Sequence, residues 1–197
     1  MRNNTQWLIA KIISTLGNPL VLGLLYTALI QHYLPVEHPI LVYSLLITIV
    51  VIPVILYIFL NVKRGTFKNY DVSHQKKRNS LYKFALVLLF VLNLTLFFLD
   101  YSLKESLSVV IVFVHLFNSY LLNQVIKASM HTSFNFLFAF MISNFDFRIA
   151  AFLYLFGFLN AWSRLALSRH KSDEIVVGYL LGNCTGIVFL ILTKKLL

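Results

Sequence analysis

The chain has 197 residues, 59% of them hydrophobic and 12% charged, with a mean hydropathy of +0.80. Soluble domains are about half apolar and roughly a quarter charged, so this composition excludes an ordinary soluble globule. It points instead to an all-α fold, a polytopic transmembrane helical bundle forming one integral-membrane domain over residues 1–197. The formal net charge of +10 suits nucleic acid, anionic headgroups or a phosphorylated substrate. Since most of the chain must lie in lipid, membrane lipids and a lipid phosphate are preferred as partners, and nucleic acid is set aside.

In chain order, Met1–Lys11 is a polar start and interfacial lead-in, with Trp7 suited to headgroup depth. The first apolar segment is interrupted by Asn18-Pro19 and has no clear small-residue cleavage site, which argues against a cleaved signal peptide. A spanning helix needs about 20 apolar residues. The first span is placed at Ile13–Tyr33 and the second at Ile40–Val62 with a kink at Pro53, joined by a turn at Gln31–His38. The stretch Lys63–Lys83 differs in kind, carrying Lys63, Arg64, Lys68, Lys76, Lys77, Arg78 and Lys83 against one acid, Asp71. Spans at Phe84–Tyr101 and Leu107–Ile126 follow. Ser133–Ser143 and Ile149–Trp162 are both short; as one helix they would bury Asp146 and Arg148 in the membrane, so a hairpin of two short helices is predicted. The last span covers Asp173–Leu192.

The total is about six to seven spans. With seven, the basic loop, the Ser129/His131 segment and His170 share one membrane face, and Asp100 and Glu105 fall on the other. His115, mid-span, reads as satisfied by a neighbouring helix. The lone Cys184 cannot form an internal disulfide and reads as a buried, inert thiol. The chain has no paired DxxD, no HExxH and no Walker glycine loop, and no metal or other cofactor is expected.

Charge recurs where it is costly, in Trp162–Leu181, WSRLALSRHKSDEIVVGYLL. His170 and Glu174 are four residues apart, so on a helix they share a face and the carboxylate can hold one imidazole nitrogen. Arg164 and Arg169 are candidates to bind phosphate oxygens by paired hydrogen bonds. A basic turn with a snorkelling His is the bland alternative. Ser-Arg, five residues, His, three residues, acid resembles the third motif of the type 2 phosphatidic acid phosphatase (PAP2) superfamily, SRxxxxxHxxxD, with Glu174 in place of Asp. Lys127-Ala-Ser-Met-His131 is similar to the second motif, PSGH, keeping Ser129 and His131 but with Ala128 and Met130 for the Pro and Gly. In the first motif, KxxxxxxRP, Arg78 takes the Arg place, Asn79 follows it, and Asp71 stands where Lys belongs. The resemblance covers roughly Tyr70–Val188.

The resemblance implies a metal-independent lipid phosphatase with a PAP2-like core. His170 would be the nucleophile, Glu174 would orient it, and His131 would act as acid and then base. Arg164, Ser129, Lys127, Arg78 and Lys77 would hold the phosphate. Phosphatidic acid, phosphatidylglycerol phosphate and polyprenyl diphosphate all fit as substrate. Alternatives stay open: a non-catalytic anionic-lipid binding or transport protein, an inactive family member, or a phosphotransferase using the same histidine. The Asn/Lys/Ile/Phe-rich composition points to a bacterial inner membrane as the cell membrane concerned. Positive-inside counting puts the basic face in the cytoplasm, although a phosphate site would be basic on either side. Oligomeric state has no signature in the chain.

Overall fold

The computed structural model describes residues 4–33, 39–72 and 74–196. Every regular element among them is helical. In order these are α1 (Asn4–Leu16), α2 (Pro19–Tyr33), α3 (Pro39–Leu45), a π-helical stretch (Leu46–Val51) and α4 (Ile52–Lys63). Then come α5 (Gln75–Phe98), α6 (Leu103–Leu122), α7 (Met130–Ser143), α8 (Phe147–Ala166) and α9 (Ser172–Leu196). The chain divides into two compact units, Met1–Pro35 with Ile126–Leu197, and Val36–Val125.

In the first unit α7 is the axis: α2, α8 and α9 pack on it, and α1 packs on α8. Almost the whole of α7 is buried, including Thr132, Ser133 and Asn135. α9 lies close against it because Gly178, Gly182 and Gly186 repeat every fourth residue and share one face. A Cβ on Gly178 would stand 2.7 Å from the Ser129 carbonyl oxygen, and one on Gly182 would overlap the Ser133 carbonyl. Between helices in lipid, such small residues permit the close van der Waals contact that drives association. Phe136 of α7 meets Tyr154, Phe158 and Tyr179 edge-on at 4.8–5.2 Å between ring centroids. The Tyr154 hydroxyl donates to Asn183 Oδ1 at 3.0 Å, tying α8 to α9.

The hairpin predicted between α7 and α8 forms, and Asp146 is why the helix stops and restarts. Its Oδ1 accepts from the N–H groups of Arg148 at 2.8 Å and Ile149 at 3.2 Å, an N-cap that satisfies two otherwise orphan donors. The Tyr33 hydroxyl donates to the other oxygen at 3.3 Å, fixing the end of α2 there. At the opposite end Gly17-Asn18-Pro19 breaks α1 from α2 with a bend of 51°. Asn18 Oδ1 caps the Leu20 N–H at 2.9 Å, and Pro19 occupies the first helical position, where its missing N–H costs nothing.

In the second unit the residue after the π-helical stretch, Ile52, donates to Ile47 O, a five-residue step just before Pro53. The kink expected at Pro53 is therefore absorbed by a widened turn upstream of it. The start of α5 is clasped to the end of α6. Gln75 Nε2 donates to Asn123 O at 2.8 Å, while Asn123 Nδ2 donates to Gln75 O at 3.1 Å and to Asn79 Oδ1 at 2.7 Å. Asp100 lies at the α5–α6 connection, at the other end of that pair. His115 is fully buried within α6.

Several expectations change. Among the described residues four helices are long and apolar enough to cross a membrane, or five if α1 and α2 count as one bent span, against the six to seven expected. Hydropathy counts α7 as a span, yet its 14 residues reach only about 21 Å against roughly 30 Å of hydrocarbon. Surrounded by protein, it has no need to match a bilayer. The first span starts as α1 at Asn4 rather than at Ile13, and α5 starts at Gln75 rather than at Phe84. Lys76, Lys77, Arg78 and Lys83 are therefore helical rather than parts of a loop. Cys184 is exposed instead of buried, because Gly182 and Gly186 take the inward face of α9. The connecting turn expected at Gln31–His38 falls partly on residues 34–38, outside the described residues, as does the side chain of Glu105.

Gly182→Ala must push α9 off α7, and we expect it to destabilise the protein by about 1–3 kcal/mol in thermal unfolding in detergent. Val188→Ala, on the exposed side of the same helix, should change stability by less than about 0.5 kcal/mol. The Asp146 carboxyl is held below its ordinary range, first by the Ile149 N–H hydrogen bond. Its contribution is complete above the unfolded value of about 4 and is lost as pH falls through the folded one. The Tm gap between wild type and Asp146→Asn should thus be full at neutral pH and close in acid.

Candidate active site

The residues of the third motif are positioned by the way α8 ends. Ser168 adopts a left-handed conformation, φ 53°, just past the helix. The Ser168 N–H donates to Leu165 O at 2.8 Å, and the Arg169 N–H reaches back to Arg164 O at 3.0 Å. This is the Schellman arrangement, usually built on glycine. It folds the chain back sharply, so His170 follows the turn within two residues and precedes α9 by two.

Glu174 is the third residue of α9, and its carboxylate reaches back over the helix start. Oε2 accepts from the Lys171 N–H at 3.3 Å, which is the return half of a capping box. The same oxygen lies 2.7 Å from His170 Nδ1 and 3.4 Å from Lys127 Nζ. The expected His170–Glu174 pair exists, but by a different route: His170 lies outside the helix, and the carboxylate turns back to meet it. With Nδ1 donating to a carboxylate, the imidazole lone pair is left on Nε2. The Lys127 ammonium also donates to the Arg169 carbonyl at 2.8 Å, so it acts as counter-ion to Glu174 and clasp on the turn.

The second-motif segment is joined to this centre through the backbone, by the Ser129 N–H donating to Glu174 O at 3.0 Å. Gly178 permits that approach. Ser129 caps α7: its hydroxyl oxygen accepts from the Thr132 N–H at 3.4 Å and from the Thr132 hydroxyl at 3.0 Å, and the residue is fully buried. Its hydroxyl thereby closes the first turn of α7. His131, in the first turn of α7, is half-exposed. Its carbonyl accepts from two buried side-chain amides, Asn135 Nδ2 at 2.7 Å and Asn160 Nδ2 at 3.2 Å. Both amides also donate to Gly17 O, at 3.2 and 3.1 Å. The three segments α1, α7 and α8 meet at this pair of asparagines.

Arg164 is 2% exposed, and its Nη1 donates to Ser14 Oγ of α1 at 2.6 Å. Arg169 is half-buried. Sequence reading missed Ser14, Asn135 and Asn160. Each is a polar residue in an apolar run, which was the available signal, but their partners stand up to 150 positions away. Of the remaining candidates, Arg78 and Lys77 belong to the second unit. There Arg78 is buried with Nε donating to Val72 O at 3.4 Å, and Lys77 is exposed. No group of three or more His, Cys, Asp or Glu side chains gathers among the described residues. Comparison of the chain with protein-family models, with curated proteins and with solved structures finds no match in any of the three.

Ser168 carries a left-handed backbone that costs a non-glycine residue roughly 1–2 kcal/mol. Ser168→Gly should therefore raise thermal stability by up to about 1 kcal/mol, whereas Ser168→Val should lower it and displace His170.

Proposed function

We propose that the protein is a membrane-embedded phosphatase that hydrolyses a lipid phosphate or diphosphate through a phosphohistidine, without a metal. The observation that carries this reading is the 2.7 Å contact between His170 Nδ1 and Glu174. It orients a buried imidazole through Nδ1, and the carboxylate stabilises the positive charge that the ring acquires on attack. The Ser-Arg/His/acid spacing and the Ser129/His131 segment, tied to one end of one helical unit, are the further support.

In the first step Nε2 of His170 forms a bond to phosphorus as the P–O bond to the lipid breaks, and His131 gives its proton to the leaving oxygen. In the second, water attacks phosphorus with His131 taking its proton, the N–P bond breaks, and inorganic phosphate leaves. Arg164, Lys127 and Arg169 supply positive charge for the phosphoryl oxygens. The lipid tail reaches such a site sideways from the bilayer, which suits a multi-pass protein of the cell membrane.

A second reading is a non-catalytic anionic-lipid binding or transport protein. It is favoured by the closure of this centre, with the His170 side chain 1% exposed, Arg164 held by Ser14, and Ser129 turned inward.

Phosphate release from lipid monophosphates and diphosphates by the purified protein, in detergent with EDTA, decides between them. Under the phosphatase reading His170→Ala falls to background, and His131→Ala loses about 10²–10⁴-fold. Glu174→Gln loses about 10²-fold or more, largely in kcat. A folded wild-type protein that releases no phosphate from any of these lipids removes the phosphatase reading and leaves the second.

A further inference from the structure

The second unit carries a feature that the centre around His170 does not use. The segment between α4 and α5 and the first turns of α5 hold six exposed cations, Lys63, Arg64, Lys68, Lys76, Lys77 and Lys83, against a single acid, Asp71. The connection is firmly built. Gly65 takes the left-handed conformation that ends α4, φ 73°, and its N–H donates to Val62 O at 3.0 Å. Phe67 is 2% exposed and packs edge-on against Tyr57, which in turn stacks on Phe84 at 4.3 Å. Arg78 is the one inward cation; the others face out.

α5 continues this charge into an apolar strip on one helix face. Lys76, Ser80, Lys83, Val87, Phe90 and Leu94 follow one another at intervals of three and four, and all six are exposed. Val87, Phe90 and Leu94 are 61%, 53% and 40% exposed. From Val87 to Phe98 the helix rises about 16 Å, close to half of a hydrocarbon core roughly 30 Å thick. The Lys83 stem, one turn before Val87, thus lies at the hydrocarbon edge with its ammonium lifted to phosphate depth. Lys76 stands two turns above it. Lys63 does the same at the end of α4, its Nζ lying 4.7 Å over the Phe59 ring.

We infer that this face of α5 docks an anionic phospholipid of the surrounding bilayer. Lys83 and Lys76 hold the phosphate, and one acyl chain lies along Val87, Phe90 and Leu94. The complementarity is in both parts: cations where the headgroup sits, exposed aliphatic and aromatic side chains for one leaflet's depth below. The inference is independent of the phosphatase reading, since its residues lie in the other unit and its ligand is not turned over.

The test is native mass spectrometry of the full chain, released from detergent with equal amounts of phosphatidylglycerol and phosphatidylcholine of identical acyl chains. Phosphatidylglycerol is a phosphodiester with no terminal phosphate to hydrolyse. Wild type should retain it preferentially, and the preference should fall about fivefold per lysine removed, about 25-fold in Lys76→Gln/Lys83→Gln. His170→Ala should keep the wild-type preference. On wild type alone, raising salt from about 0.05 to 0.5 M should erode the preference, since headgroup attraction at a surface is screened. Equal retention of the two lipids by folded wild type would overturn the inference. So would a preference that survives in the double lysine variant, vanishes in His170→Ala, or is displaced by millimolar inorganic phosphate.

Discussion

The candidate centre depends on one carboxylate whose main chain and side chain bind in different directions. Glu174 Oε2 gathers His170, Lys127 and the Lys171 N–H, while the Glu174 carbonyl receives the Ser129 N–H. Two stretches of chain, 127–129 and 170–171, converge on one residue in the first turn of one helix. Beside a helix N-terminus, where the peptide dipoles are positive, a carboxylate is favoured on its own account. The stabilisation of α9 and the orientation of His170 are therefore one interaction.

That convergence requires α7 and α9 to lie almost backbone to backbone, and the glycines of α9 permit it. A methyl group at Gly178 would meet the carbonyl of Ser129, the residue whose N–H Glu174 binds. Packing along α9 and the geometry of the site are coupled in this way over a single helical turn. Asn135 and Asn160 act similarly on the other side of α7. By sharing the carbonyls of Gly17 and His131 they satisfy the end of α1 and steady the turn that carries His131. Buried polar groups in an apolar surrounding are costly unless paired, and here the pairing also specifies how three helices meet.

Arginine illustrates how differently like residues end up. Arg164 and Arg78 are both buried cations expected to face a phosphate. One reaches a serine of α1, and the other a main-chain carbonyl at the start of α5. The positive charge on the lysines of α5 and of the α4–α5 connection is, by contrast, exposed. It is therefore available to anions at the membrane surface.

The amino-acid sequence by itself determined the helices, because runs of apolar residues in a membrane must satisfy their backbones locally. It also determined the α7–α8 hairpin, since Asp146 and Arg148 could not be left in hydrocarbon, and the pairing of His170 with Glu174, since four residues cannot separate them far. Tertiary structure decided the rest. Hydropathy cannot separate α7, apolar because protein surrounds it, from a helix apolar because lipid does. The G-x-x-x-G-x-x-x-G pattern of α9 does not specify which helix it receives. Whether Arg164 faces inward depends on a partner distant in the chain, Ser14, 150 positions away. Such contacts arise from which helices lie side by side, and local spacing carries no record of that.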